Sequence, residues 1–298
     1  MAAKKSTTLS RKATLRDVGL LAKVDPSLVS RVLNNDPNAT ASPATKIRIL
    51  AAAKKLNYTT NFSARNLKMA KTLTIGLLLP DLTNPVNDLV AHGVQERAAE
   101  LGYGVVIANH SDIGGDKTIS QMLTQGHVDG IIAFVHSVKD SFLENLSKNN
   151  GGRILPMNGK IKGLESSVSL DDPKAAEMCV EHLVDLGHRN IVGIFASEVN
   201  DSPKRRLAGF KKGCAKFNIQ PNVVFTQGYG PYDGYLATLE AIAKYSPTAI
   251  FPSSNSYALG TYRALFEKAL RIPEDISLIG YDDIEDYENL HNFISTLK

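Results

Sequence analysis

The residues best suited to making specific contacts cluster near the N-terminus. Asp25-Pro26-Ser27 precedes Leu28, Val29, Val32 and Leu33 at helical spacing. The aspartate can cap a short helix, the proline can open it, and the apolar residues can be buried. Pro26, Ser27 and Arg31 then face outward near the start of that helix. An arginine so placed can bond bidentately to guanine in a major groove, and a serine bonds a base edge less selectively. Thr14, Ser30 and Asn34 are short polar groups that can grip phosphate oxygens, which fix register and not sequence. The set implies DNA contact.

The rest of the chain offers little to catalysis. It has no GxGxxG after the first apolar strand, no phosphate loop, no GxSxG elbow and no HExxH. The seven histidines are scattered, and His182 and His188 share a segment without a third ligand at metal spacing. His188, in Leu186-Gly187-His188-Arg189, sits at a helix end where a structural role is expected. Asp282-Asp283 could suggest acid–base work, although they follow an apolar run in Gly280-Tyr281-Asp282-Asp283. Cys179 and Cys214 form neither a disulfide framework nor a CxxC pair. No catalytic residue, metal or cofactor is expected.

The DNA-facing residues need a rigid frame, and the flanking sequence supplies one. Thr14-Leu15-Arg16-Asp17 has the form of a capping box, followed by Leu15, Val18, Leu21 and Ala22 as an apolar stripe. Lys23-Val24 interrupts it, and the Asp25-Pro26 helix follows, making a helix-turn-helix. Ser42-Pro43 opens a third helix through Ile47, Leu50, Ala51 and Leu56, which closes the small core. Residues 1–71 carry fourteen lysines and arginines against three acids, a formal charge of +11. The rest carries twenty against twenty-seven, or −7. A basic head on an acidic body is the charge footprint of a nucleic-acid-binding module joined to a second function.

That body is long enough for a substantial core: the whole chain has 298 residues, 43% of them hydrophobic. Apolar runs at 73–79, 105–108, 128–135 and 154–157 alternate with helical stretches near 87–101, 117–125 and 139–148. A second series has runs at 168–170, 191–195, 223–225, 249–251 and 277–279, with helices near 173–186, 203–217, 232–245 and 255–270. Such alternation predicts two α/β subdomains with doubly wound parallel sheets and a cleft at the carboxyl ends of their strands. No stretch approaches the roughly 20 apolar residues of a membrane helix. Met1–Lys12 is polar and basic and does not read as a secretory signal. A soluble cytoplasmic protein without membrane contact is expected.

The strings TLRDVGLLAKVDPSLVSRVLN, SPATKIRILAAAKKLNY and NFSARNLK resemble the DNA-binding headpiece of the lactose-repressor (LacI/GalR) family of bacterial transcription regulators. The resemblance continues through IGLLLPDLTNP, DGIIAF, EHLVDLGHRNI, RRLAGF and GYDD, and covers about residues 13–297. Lys23 and Asp25 depart from it, standing where the family usually has Gly and Ser. The resemblance implies a basic extension (1–12), a three-helix headpiece (13–60), a hinge helix or linker (61–71) and an effector domain (72–298). The last is periplasmic-binding-protein-like, with subdomains at about 72–167 and 168–290 and a shortened crossover at 291–298. Family members usually continue roughly 40 residues further, so a truncated core is expected.

The family pattern also implies roles. Leu67 would wedge between base pairs of a bent operator when two linkers pair in the minor groove. Arg206 and Asp282 would bind effector, and Asn84 and Val86 would line the first subdomain's wall. Asn255 stands in Ser254-Asn255 where sugar-binding relatives often have Asn-Asp, and Tyr229 or Tyr232 would supply an aromatic platform. The implied function is a homodimeric repressor of double-stranded operator DNA at the bacterial nucleoid, controlled by a sugar or related metabolite. The alternatives are a cytosolic sugar-binding module with an inactive headpiece and a sugar-processing enzyme.

Overall fold

The first helix starts where the sequence supplies a cap. Thr14 Oγ1 accepts from the Asp17 amide at 3.3 Å and donates to Asp17 Oδ2 at 2.7 Å, while the Thr14 amide donates to the same carboxylate. This capping box opens α1 (Leu15–Ala22), Asp25 caps α2 (Pro26–Leu33) and Ser42 caps α3 (Pro43–Lys55). Val18, Ala22, Val29, Val32, Ile49, Ala52 and Ala53 form the shared core. Two expectations are corrected. Leu21 is exposed, and the core face of α3 runs through Ile49, Ala52, Ala53 and the partly buried Leu56. Ile47 and Leu50 are 67% and 54% exposed. Two apolar stripes overlap on α3, and the one carrying small alanines permits the closer helix approach.

The computed structural model describes residues 12–34, 36–59, 71–109, 121–135, 140–149, 153–197, 201–283 and 295–297. Leu67, the linker up to residue 70 and most of the proposed crossover lie outside the described residues. The chain divides into two units, Met1–Lys71 and Thr72–Lys298.

The second unit holds two parallel sheets. The first contains β1 (Thr74–Leu79), β2 (Gly104–Asn109), β3 (Gly130–Phe134) and β4 (Ile154–Met157) in the order β2-β1-β3-β4. Helices α4 (Pro85–Glu100) and α5 (Asp140–Asn149) accompany it. The second sheet contains β5 (Ile191–Ala196), β6 (Asn222–Thr226), β7 (Ala249–Pro252), β8 (Ser277–Tyr281) and β9 (Ser295–Leu297), in the order β6-β5-β7-β8-β9. Its helices are α6 (Asp172–Asp185), α7 (Asp201–Lys216), α8 (Pro231–Tyr245) and α9 (Asn255–Glu267). The strand order reverses between β1 and β3 and between β5 and β7, which opens a crevice at each sheet's carboxyl edge.

The predicted strand at 168–170 does not begin the second series. Val168 instead bridges to Met157 at the edge of the first sheet, and Leu170 is exposed. In the second sheet, β5 is buried throughout its length, and Phe195, Phe210 and Phe251 pack with ring centroids 5.5–6.0 Å apart. His188 bonds Thr248 Oγ1 at 3.0 Å and Ser277 Oγ at 2.8 Å, a structural use of both ring nitrogens.

Candidate nucleic-acid interface and effector cleft

In the headpiece, Asp25 Oδ1 accepts from the Ser27 amide at 2.7 Å. The Ser27 donors hold the Asp25 carboxyl below its ordinary value, so it stays charged at the N-terminus of α2. Ser27 and Arg31 are exposed, and Pro26 is partly so. Pro26 and Ser27 lie in the first turn of α2, and Arg31 lies in its last turn. Thr14 and Asn34 are more committed. The Thr14 hydroxyl serves Asp17, and Asn34 Nδ2 donates to Ser30 O at 2.8 Å and lies 3.4 Å from Ser30 Oγ. Lys23 closes α1 with φ 55° and ψ 49°, a left-handed conformation that glycine adopts without strain.

The second cluster assembles around a carboxylate that the sequence reading did not single out. Asp172, at the start of α6, is wholly buried. Its Oδ1 accepts from Arg206 Nε at 2.8 Å and from the Tyr281 hydroxyl at 2.8 Å. Its Oδ2 accepts from Arg205 and from Ser202 Oγ. Burial pushes the Asp172 carboxyl up, but Arg206, Tyr281 and Arg205 together outweigh burial and hold it below its ordinary range. The one available signal was the Asp171-Asp172-Pro173 string: Asp171 is the true N-cap, which leaves Asp172 free to turn inward.

Arg206 is therefore tightly held. Its Nη1 donates to Ser253 O at 2.6 Å and lies 3.7 Å from Asp282 Oδ2, while its guanidinium stacks 3.6 Å from the Tyr281 ring centroid. Asp282, just past β8, adopts φ 68°. A left-handed aspartate is a strained placement of the kind that accumulates at functional sites. Burial raises the Asp282 carboxyl, and nearby Arg206 opposes that rise.

Asn84 and Asn255 meet directly. Asn255 Nδ2 donates to Asn84 Oδ1 at 3.2 Å, and the same oxygen accepts from the Val86 amide as the cap of α4. Val86 packs against the second sheet's cluster containing Ile194, Tyr257 and Ala258. Thus the expected wall residues join the two sheets' carboxyl ends. The two tyrosines separate. Tyr232 stacks on Tyr235, whose hydroxyl donates to Glu267, so it belongs to the outer α8–α9 surface. Tyr229 lies in the loop after β6, beside Gly228, whose carbonyl accepts from the buried Tyr257 hydroxyl. Burial pushes the Cys179 and Cys214 thiols up to about 12 and about 11, which leaves them inert as nucleophiles near neutral pH.

Two family descriptions match the chain. One is "Bacterial regulatory proteins, lacI family" over residues 14–61, and the other is a periplasmic binding protein-like domain over residues 180–298. Over 284 residues the chain is 33% identical to HTH-type transcriptional repressor PurR of Haemophilus influenzae, covering 91% of this chain and 82% of the relative. The chain belongs to the LacI family. This LacI-family chain is also 30% identical to catabolite control protein A of Priestia megaterium over 279 residues, covering 91% and 82%. Its fold matches a lac repressor dimer bound to operator and the anti-inducer ONPF with a TM-score of 0.84. That match has 28% identity and covers 96% of this chain and 87% of that one. The LacI-family protein is thus a DNA-binding transcriptional regulator with a small-molecule effector domain, and its relatives named here are regulators, not enzymes. No helix among the described residues is long and apolar enough to cross a membrane.

Proposed function

We propose that this regulator is a cytoplasmic, nucleoid-associated repressor that binds a pseudo-palindromic operator as a homodimer. Pro26, Ser27 and Arg31 read base edges, while Thr14, Ser30 and Asn34 contact phosphate through whatever bonding capacity their caps leave. Leu67 kinks the operator. A sugar or sugar derivative occupies the cleft between the carboxyl ends of the two sheets and touches Asn84, Val86, Tyr229, Asn255, Arg206 and Asp282. Effector favours one arrangement of the subdomains, and linkage converts that preference into operator affinity.

The observation that carries the effector half is the convergence of Arg206, Asp282, Asn84 and Asn255 at the strand ends. The test is calorimetric titration with sugars and nucleosides beside an operator-binding assay. Arg206→Ala and Asp282→Ala should each weaken effector binding at least about tenfold, because each leaves a ligand polar group unpaired in a partly dry site. Operator affinity without effector should stay unchanged. Full effector affinity in both variants would remove these residues from the site.

A further inference from the structure

The charges around Arg206 are already balanced. Asp172 and Asp282 face Arg205 and Arg206, two anions against two cations. Arg206 spends Nε on Asp172 and Nη1 on Ser253 O, with Asp282 beside that nitrogen and Tyr281 against the guanidinium. Nη2 is the one Arg206 nitrogen with no hydrogen bond to a described residue, so an arriving phosphate or carboxylate would meet a single guanidinium nitrogen beside the Asp282 carboxylate. Like charges brought together in a desolvated site are strongly disfavoured. Asp282 has the opposite need. It accepts no hydrogen bond from any described residue, and its side chain is only 17% exposed. Such an acceptor is satisfied by a hydroxyl or N–H donor and left unsatisfied by an anion.

We infer that Asp172 and Asp282 make this cleft selective for uncharged, donor-rich effectors and exclude their phosphorylated or carboxylate forms, with Asp172 acting as a specificity determinant that does not itself touch the ligand. The inference rests on the effector reading of the cleft given above. Asp172 differs in kind from Asp282: fully buried behind Arg206, it sets how much positive charge the ligand meets.

The experiment is calorimetric titration of the full chain with matched pairs: ribose and ribose 5-phosphate, glucose and gluconate, inosine and inosine 5′-monophosphate. Wild type should bind a neutral member at least about tenfold more tightly than its anionic counterpart. In Asp172→Asn, which leaves Arg206 less neutralised, that ratio should fall by about tenfold, and the variant's melting curve shows whether it folds. Asp282→Asn removes the second negative charge and should move the ratio the same way, which keeps the test decisive if Asp172→Asn unfolds. Tighter binding of an anionic member by wild type would overturn the inference while leaving the cleft as the effector site. An unchanged ratio in folded variants would overturn the role of the two carboxylates. If neither members of any pair bind wild type, the effector reading itself fails, and this inference fails with it.

Discussion

Arg31 and Arg206 show how differently one residue type is used in the two units. Arg31 is exposed at the end of a short helix, while Arg206 keeps only 12% of its side chain accessible and divides its charge between two carboxylates. An exposed arginine retains its full fork for bidentate recognition. Arg31→Ala should therefore cost about 1–3 kcal/mol at one operator position and relax specificity there. Binding to a panel of operator variants checks this, and an equal loss across every sequence would make Arg31 a phosphate contact. Lys23 is a further residue-scale feature. It holds a left-handed turn at φ 55°, which explains why glycine is the natural occupant of that corner. Asp25, the other departure from the family pattern, works as a helix cap: its Oδ1 accepts from the Ser27 amide at 2.7 Å.

Among the elements, α3 is the one whose buried face the sequence pattern placed wrongly, through Ile47 and Leu50. Both Ile47 and Ile49 suit an apolar stripe, yet only Ile49 is buried, at 0% exposure against 67% for Ile47. Truncating a buried isoleucine removes transfer free energy and opens a cavity, whereas an exposed one loses little. Ile49→Ala should destabilise the headpiece by about 2–5 kcal/mol, and Ile47→Ala should change it by less than about 0.5 kcal/mol. Urea unfolding of both variants measures this, and equal losses would place α3 in the other register. Helices α8 and α9 pack still more closely. A side chain at Gly260 would collide with the Pro231 carbonyl, and Thr238 Oγ1 pairs with Thr261 Oγ1 across the same contact at 2.9 Å. Asn255, the first residue of α9, donates to Asn84.

For the whole molecule, charge distribution matters more than net charge. The formal total is only +4, but +11 of positive charge lies in the first 71 residues. Operator affinity should fall steeply with added salt as condensed counterions compete for phosphate, a behaviour for which the lactose repressor, a relative, is the familiar example. Effector affinity should be nearly independent of salt if the ligand is uncharged. Filter binding and calorimetry across one salt series test both, and a flat operator response would separate the basic head from DNA binding.

The sequence alone determined the features that depend on neighbours within a turn or a strand. The caps at Thr14, Asp25 and Ser42 each act within three residues, and hydrophobic periodicity fixed nearly all the strands and helices of both sheets. Motif order and charge asymmetry identified the family and its DNA-binding head. Only the tertiary structure decided contacts between distant segments. Arg206 meets Asp172 across 34 positions and Asn255 meets Asn84 across 171, separations over which no spacing rule operates. The choice of stripe on α3, the pairing of Val168 with Met157 and the outward turn of Tyr232 are of the same kind. Each depends on which surfaces come close enough to exclude water, and only the assembled fold defines that.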